Sequence, residues 1–251
     1  MRDEIALVTG GARRIGRVIA LRLGQAGYAV AVHYGQSRDE AEVVVAEIKA
    51  AGGQAAAIQA DLAAPHAAVE LTARTVAALG PITLLVNSAS LFEPDALATM
   101  TGGGWDEQMA VNLRTPVFLA QQMAEHLPQD RNGAVINILD QRVRKLTPDF
   151  FSYTLSKAGL ATATRTMAQA LAPRIRVNAV APGPTLRSKR QSVDDFARQG
   201  SAALLGHGPS AEEIADAVLF LAQARSITGQ ILAVDGGQHL IWRTPDTEVS
   251  E

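Results

Sequence analysis

Residues 5–16 read IALVTGGARRIG, a short apolar run that passes directly into a glycine-rich turn. The run Ile5–Val8 suits a strand buried on both faces, and the apolar residues after the turn recur at helical spacing. Strand, turn and helix in this order can hold a phosphate group, because backbone N–H groups and the positive end of the helix dipole face it. These residues favour a dinucleotide-binding loop, and a βα turn without a ligand is the alternative interpretation.

The next apolar run, 29–34, ends without the carboxylate that usually holds the ribose hydroxyls of NAD. The first acidic residue after it is Asp39, and Ser37 and Arg38 come before that position. Together with Arg13 in the facing turn, Ser37 and Arg38 can pair with a 2′-phosphate. This arrangement favours NADPH over NADH. The alternative is that the three residues belong to ordinary loops.

Strand and helix patterns alternate along the rest of the chain. Further strands are predicted at 55–60, 82–86, 134–139, 175–180 and 231–234, and helices at about 38–51, 65–79, 105–127, 151–172 and 211–223. Seven strands alternating with helices, without a linker-like segment, predict a single α/β domain over residues 1–251, a Rossmann-type doubly wound parallel sheet. The stretch 186–209 lacks clear periodicity and is predicted to be a substrate lid. Residues 244–251 are predicted to be a frayed tail.

In a sheet of this type, ligands bind beyond the carboxyl ends of the strands. The residues predicted to lie at such ends are Gly10, His33, Asp61, Asn87, Asp140 and Pro182. Asp61 has two interpretations. Its carboxylate can accept from an adenine amino group while the N–H of Leu62 meets a ring nitrogen, or it can cap a helix that begins near Pro65.

Two further polar residues lie at the start of the helix predicted after residue 150. Tyr153 and Lys157 are four residues apart, so their side chains share one helical face, one turn apart. A phenol has a pKa of about 10. A neighbouring ammonium favours the phenolate and lowers that pKa, which acid–base chemistry near neutral pH requires. A half-buried Tyr and a solvated Lys on an amphipathic helix is the alternative interpretation.

The composition argues against several other classes of protein. Hydrophobic residues make up 47% and charged residues 19%, which is ordinary for a globular protein with a sizeable core. The net charge of -2 offers no basic footprint for nucleic acid, and without cysteine there is no disulfide or thiolate metal site. The N-terminal residues lack the apolar core of a signal peptide, and no apolar run is long enough to span a membrane. We therefore expect a cytoplasmic protein with a small-molecule substrate and no metal.

Taken together, these motifs resemble the short-chain dehydrogenase/reductase family. The resemblance runs from Ile5 to Gly237 and rests, in chain order, on Thr9-Gly10, Asn87-Ser88-Ala89, Tyr153-x-x-x-Lys157 and Pro182-Gly183. It implies that Tyr153 donates a proton, and that Lys157 lowers the pKa of Tyr153 and binds the nicotinamide ribose. It also implies that Asn112 holds a water on a proton path, and that the protein is a homotetramer paired through long helices. The full set of predicted cofactor-binding residues is Gly10, Arg13, Arg14, Ile15, Gly16, His33, Tyr34, Ser37, Arg38, Asp61, Leu62, Asn87, Ser88, Ala89, Tyr153, Lys157, Pro182 and Gly183.

Three departures from the family pattern resemble its pteridine reductase branch. Arg14 stands where the first loop usually has Gly, and Asn87-Ser88-Ala89-Ser90 replaces Asn-Asn-Ala-Gly. Asp140 stands thirteen residues before Tyr153, where the catalytic Ser is expected. That branch has an Arg in the first loop, a His-Tyr pair after the second strand and Asp in place of Ser. It also has a Ser and a Phe at positions like Ser90 and Phe92.

An Asp at position 140 changes the chemistry that the site can perform. A ketone develops negative charge on its oxygen and needs a hydrogen-bond donor there, which Ser supplies and an ionised Asp does not. A pterin ring offers N–H and amino donors, which Asp140 can accept. The predicted substrate-binding residues are Arg14, Ser90, Phe92, Asp140 and Tyr153, with Arg14 over the pyrophosphate and Phe92 stacked on a flat ring. The alternatives are Asp140 as a structural cap, Phe92 as plain core, a carbonyl or 3-oxoacyl reductase, and an NADP(H)-binding sensor without turnover.

Overall fold

In the computed structural model, which describes residues 4–244, seven strands form one sheet in which all neighbours are parallel. Their order is β3-β2-β1-β4-β5-β6-β7. The strands are β1 (Ile5–Val8), β2 (Ala29–Tyr34), β3 (Ala55–Gln59), β4 (Leu84–Asn87), β5 (Gly133–Ile138), β6 (Ile175–Pro182) and β7 (Ile231–Val234). This order confirms the predicted Rossmann-type doubly wound sheet.

Helices cover both faces of the sheet. They are α1 (Arg14–Gln25), α2 (Arg38–Ala50), α3 (Ala67–Leu79), α4 (Gly102–Met109), α5 (Thr115–His126), α6 (Phe151–Leu171), α7 (Val193–Ser201) and α8 (Ala211–Gln223). α1, α2 and α8 bury one core with Ile19, Val44 and Val218, and α3, α5 and α6 bury a second with Leu71, Leu119 and Ala168. Because both faces are covered, the central strands are mostly apolar on both sides rather than alternating between apolar and polar residues.

The chain reverses direction across the sheet between β1 and β4, which are neighbours. From β1 the chain builds outward to β2 and β3, and it then returns to place β4 on the other side of β1. The connection after β1 leads to α1 on one face of the sheet, whereas the connection after β4 leads toward α5 on the other face. Ligands of such sheets bind at this switch point, beyond the carboxyl ends of the strands.

Three predicted elements differ from the observed ones. The helix predicted over 105–127 begins at Gly102 and is interrupted by a π-helical segment, Ala110–Arg114, because Asn112 there is fully buried and bonded to another loop. The strand predicted at 82–86 spans Leu84–Asn87. The lid stretch 186–209 contains α7. Ser192 is its N-cap, since the Ser192 side chain accepts from the N–H of Asp195.

The predicted frayed tail falls, apart from Thr244, outside the described residues. Within residues 4–244, none of the helices is both long and apolar enough to cross a membrane.

Candidate active site

The loop after β1 is shaped to let a ligand approach its backbone. Gly10 has a φ of +64°, and a Cβ there would lie 2.9 Å from the Cα of Ala89. A Cβ at Gly16 would overlap the carbonyl oxygen of Gly10. α1 has no side-chain cap and no acidic residue in its first turn, so its first N–H groups remain open to an anion. These features fit the pyrophosphate of a dinucleotide. Ile15, in the first turn of α1, is half-buried and packs against the first core.

Arg14 occupies a glycine-like position in this loop, with a φ of +53°. Its guanidinium donates to the carbonyl oxygens of Leu186 and Arg187 in the lid stretch, at 2.9 and 3.0 Å. Arg14 thus ties the loop to the lid, and its predicted position over the pyrophosphate stays a prediction.

His33, at the end of β2, is buried and turned inward. Its Nδ1 accepts from the N–H of Gly10 at 3.0 Å, and its Nε2 lies 3.1 Å from the carbonyl oxygen of Ala60. Since Nδ1 accepts, the proton is on Nε2 and the ring is neutral. Burial lowers the pKa of His33 from 6.5 to about 4. The side chain therefore braces the loop from behind, which differs from the predicted direct contact with a cofactor.

The residues predicted to bind a 2′-phosphate lie on the surface, near the C-terminal end of β2. Arg13 and Arg38 are exposed, and Ser37 and Tyr34 are partly exposed. Arg13 forms a long, solvated ion pair with Glu40 at 3.6 Å. Such an exposed pair is weak, so Arg13 stays available for a phosphate.

The predicted adenine residues follow β3. Asp61 is exposed, and its Oδ1 accepts from the N–H of Ala63 at 3.0 Å. The helix-cap interpretation of Asp61 is wrong, because α3 begins at Ala67 and no side chain caps it. Leu62 is buried, and its carbonyl oxygen accepts from Thr115.

Tyr153 and Asp140 are the centre of the site. Tyr153 is only 5% exposed, and its hydroxyl donates to Oδ2 of Asp140 at 3.1 Å. Burial, followed by the charge and the hydrogen bond of Asp140, raises the pKa of Tyr153 well above its ordinary value. The charge of Arg142 and a hydrogen bond with Ser90 lower that pKa and are outweighed. The direction of this pKa change is opposite to the predicted one, because the phenol is buried and the charge bonded to it is a carboxylate.

Lys157 is buried beneath the pair. Its Nζ donates to the carbonyl oxygen of Ile138 at 2.9 Å and lies 5.8 Å from the ring centroid of Tyr153. Burial lowers the pKa of Lys157 to about 8. The ammonium is held by the end of β5 rather than by the phenol hydroxyl.

Asp140 is a structural cap, and it also faces Tyr153; its predicted binding of a substrate stays a prediction. Its Oδ1 accepts from the N–H of Arg142 at 2.8 Å and caps a short 3-10 helix, Gln141–Val143. Its Oδ2 faces Tyr153 and also pairs with Nη1 of Arg142 at 3.2 Å. One oxygen is structural and the other belongs to the site.

Two buried asparagines hold the floor of the crevice. Asn112 binds both backbone groups of Leu91 at 2.9 Å and donates to Oγ of Ser156, so it joins the loop after β4 to α6. Its predicted role in holding a water stays a prediction. Asn87 donates to Asn137 on β5 at 2.8 Å, which directs its side chain into the sheet.

The loop after β4 is fixed by Thr9, which the sequence-based site did not include. Its Oγ1 accepts from the N–H groups of Ser88 and Ala89, both at 3.0 Å. The family motif Thr9-Gly10 was the available signal.

At the end of β6, Gly183 must be glycine, because a Cβ would lie 2.7 Å from the Cα of Asp235. This close approach fixes the backbone that follows Pro182.

Aromatic rings form the wall of the cleft above Tyr153. Phe92 stacks on Phe150 at 4.2 Å with an angle of 6° between the rings, and meets Tyr153 edge-on at 4.6 Å. Phe92 is partly exposed and lies outside the buried cores, so the plain-core interpretation does not hold. Phe150 was missed, because its role depends on a left-handed backbone with a φ of +55° at the start of α6.

Asp95 was also missed, and it positions the catalytic helix. Its carboxylate accepts from the N–H of Ser152 at 3.1 Å, in the first turn of α6. Because it lies 57 residues away in sequence, no local capping pattern reveals it.

Within the described residues, no group of three or more His, Asp or Glu side chains is placed to hold a metal ion.

The structure combines a glycine-rich loop at the switch point of a parallel sheet with Tyr153 and Lys157 on α6, next to the end of β5. This combination fits a dinucleotide-dependent reductase. A family model described as Enoyl-(Acyl carrier protein) reductase matches residues 10–239. The chain belongs to the short-chain dehydrogenase/reductase family and is an oxidoreductase.

Particular relatives divide between two kinds of substrate. The 3-oxoacyl-(acyl-carrier-protein) reductase FabG of Staphylococcus epidermidis is 37% identical over 243 residues, which cover 95% of this chain and 100% of that one. Among solved structures, FolM alternative dihydrofolate reductase 1 from Brucella suis, in complex with NADP, is 51% identical with a TM-score of 0.95, covering 98% of each chain. The angucycline C-6 ketoreductase LanV with bound NADP is 34% identical with a TM-score of 0.88, covering 94% of this chain and 96% of that one.

Proposed function

We propose that this protein is an NADPH-dependent reductase of a pteridine-type ring, a dihydropterin or dihydrofolate. The observation that carries the proposal is the hydrogen bond from Tyr153 to Asp140, in a site where a ketone reductase needs a donor. The 51% identity to a dihydrofolate reductase of the same family supports it.

The cofactor half of the proposal rests on residues at the mouth of the crevice. Gly10, Gly16 and the uncapped start of α1 fit a pyrophosphate. Arg13, Ser37 and Arg38 fit a 2′-phosphate. Between the end of β2 and Asp39 there is no carboxylate to hold a free ribose hydroxyl. Relatives solved with NADP support the same choice.

Bound NADPH supplies the hydride. Reduction of a ring C=N also requires a proton on nitrogen, and Tyr153 is the group that can donate it. Its raised pKa keeps the hydroxyl protonated at neutral pH. Lys157 and Arg142 are the cations that offset the charge left on the phenol after transfer. A positioned general acid contributes about 10²–10⁴ in rate.

The substrate half rests on the cleft wall. Asp140 accepts from ring N–H or amino donors, and Phe92 offers an aromatic face to a flat ring. Ser90 lies at the same edge and bonds to Tyr153. These groups suit a planar heterocycle better than a flexible ketone.

The second candidate function is reduction of a 3-oxoacyl or other ketone, which the 37% identity to FabG favours. One panel assay of NADPH oxidation with dihydropterin, dihydrofolate, a 3-oxoacyl thioester and small ketones decides between the two. Brisk ketone reduction without pteridine turnover would defeat the proposal. No oxidation with any substrate would favour a binding protein without turnover, although the presence of both Tyr153 and Lys157 argues against that.

We further propose a homotetramer, as the family resemblance implies. The outer faces of α5 and α6 share an apolar surface that includes Val117, Ala124, Met167 and Ala170. Light scattering at several protein concentrations tests the assembly, and a monomer throughout would contradict it.

A further inference from the structure

Arg142 contacts the centre of the site, although nothing in its sequence surroundings marks it. Its Nη1 lies 3.2 Å from Oδ2 of Asp140, the oxygen that also accepts from Tyr153. The side chains of Arg142 and Asp140 are each 19% exposed, so the ion pair is largely removed from water. A pair in that position is stronger and less screened by salt than one on the surface.

The guanidinium also borders the aromatic wall. Its carbon lies 5.4 Å from the ring centroid of Phe92 and 5.4 Å from that of Phe150. Because the two rings are stacked only 4.2 Å apart, equal distances place the guanidinium beside the stack rather than over one outer face. A flat apolar surface, a carboxylate and a cation therefore meet at one edge of the cleft.

Arg142 has hydrogen-bonding capacity beyond its pair with Asp140. A guanidinium carries five N–H donors in a planar fork. Its Nε is buried and finds no hydrogen-bond partner among the described residues. Since buried polar groups are nearly always bonded, Arg142 retains a donor that its protein neighbours do not satisfy.

We propose that Arg142 is a substrate-specificity residue that donates to the ring carbonyl of a flat heterocycle while Asp140 accepts from its adjacent N–H or amino group. The inference rests on the proposed pteridine reduction and identifies the group that recognises the ring edge. A donor beside an acceptor is complementary to a cyclic amide edge, which a simple ketone lacks. The cation also offsets the charge that Asp140 brings beside a buried phenol.

The test compares two probes that differ at the carbonyl. Pterin carries a 2-amino group and a cyclic amide formed by the 4-oxo group and N3–H, whereas 2-aminopteridine keeps the amino group and lacks both the carbonyl oxygen and that N–H. Loss of the preference in an Arg142 variant that keeps Asp140 therefore reports on the carbonyl. Calorimetric titration of the NADP-saturated protein should show wild type binding pterin at least ten-fold more tightly than 2-aminopteridine. Arg142→Met keeps an apolar stem beside the rings and should lose at least ten-fold in pterin affinity together with most of the preference.

Two further variants separate charge from geometry. Arg142→Lys keeps the charge without the planar fork, so pterin affinity should fall about three-fold or more. Arg144→Met is the matched control, because Arg144 lies in the same loop but donates to the carbonyl oxygen of Ile231; its affinity should stay within two-fold of wild type.

The outcomes separate this inference from the proposed function. Undiminished preference for pterin in Arg142→Met, or no preference in the wild type, overturns the role of Arg142 whatever the enzyme reduces. A preference that Arg142→Met loses, in a protein that oxidises no NADPH with dihydropterin or dihydrofolate, supports the role of Arg142 and defeats the proposed function. If thermal melting shows that Arg142→Met does not fold, the affinity and preference of Arg142→Lys decide the question.

Discussion

Acid should destabilise this protein through one buried histidine. His33 is 2% exposed, and both of its ring nitrogens bond to backbone groups, the N–H of Gly10 and the carbonyl oxygen of Ala60. Protonation would set a ring N–H against the N–H of Gly10 and bury a charge without a partner. Burial accordingly lowers the pKa of His33 from 6.5 to about 4.

The sign and size of the effect follow from these two pKa values. Between pH 6.5 and pH 4 the unfolded chain binds a proton at His33 that the folded protein does not, so stability falls as the pH falls. At about 1.36 kcal/mol per pKa unit, the change from 6.5 to about 4 corresponds to about 3 kcal/mol, lost in full below pH 4. Domains are typically stable by about 5–15 kcal/mol, so this one group takes a large share.

Urea unfolding at pH 7.5, 6.5, 5.5 and 4.5 measures the effect by comparing wild type with His33→Asn. Asn can still accept from the N–H of Gly10 and does not titrate. Because it replaces a buried ring with a smaller side chain, the variant should be less stable than wild type at pH 7.5. The difference should shrink by about 2 kcal/mol at pH 4.5, because only wild type loses the histidine contribution. One protein concentration is kept throughout, since assembly would couple stability to concentration.

The matched control is His126→Asn, which changes an exposed histidine whose ring bonds to the carbonyl oxygen of Gln122, one turn earlier in the same helix. It should follow the pH dependence of wild type. Parallel stability curves for wild type and His33→Asn would refute the reasoning, because they would mean that His33 titrates alike in the folded and unfolded chains.

Three other predictions concern cofactor and catalysis. NADPH should bind at least ten-fold more tightly than NADH, and added salt or Arg38→Ala should reduce the difference, as titrations at fixed ionic strength will show; equal affinities would contradict the phosphate site. Tyr153→Phe should keep NADPH binding and lose about 10²–10⁴ in kcat, whereas Lys157→Ala should impair both, and near wild-type turnover by Tyr153→Phe would remove its assigned role. Asp140→Ser should lose most pteridine reduction and keep or gain ketone reduction; full retention of pteridine turnover would argue against the pteridine assignment.

The sheet was predictable because its evidence is repeated along the chain. Each strand is a short apolar run between turn residues, and seven such runs alternating with helices allow few arrangements. The elements that were missed carry one weak signal each. For α7 the signal in the sequence is the capping pair Ser192 and Asp195. For the π segment it is Asn112, which binds a loop that lies elsewhere in the sequence.

The members of the candidate site were proposed from two kinds of signal. Asp140 was predicted from its place at the end of a strand, and Tyr153 and Lys157 from their spacing on one helical face. The pKa of Tyr153 depends on its burial and on the direction of the Asp140 side chain, which the sequence does not reveal, and there the expected direction was wrong. His33 shows the same limit, since its partners lie 23 and 27 residues away and only the fold brings them to one ring.

The bond between Tyr153 and Asp140 links substrate choice to proton transfer in the proposed reaction. Oδ2 of Asp140 already accepts from Tyr153 and Arg142, so a ring that donates to it competes with the phenol. A substrate with an N–H or amino donor displaces the Tyr153 hydroxyl and frees its proton for the ring nitrogen. A ketone has no such donor and leaves the hydroxyl bonded to Asp140, beside a charge that repels the developing oxyanion. Selection against ketones would then arise at the acid itself, before any difference in the shape of the pocket.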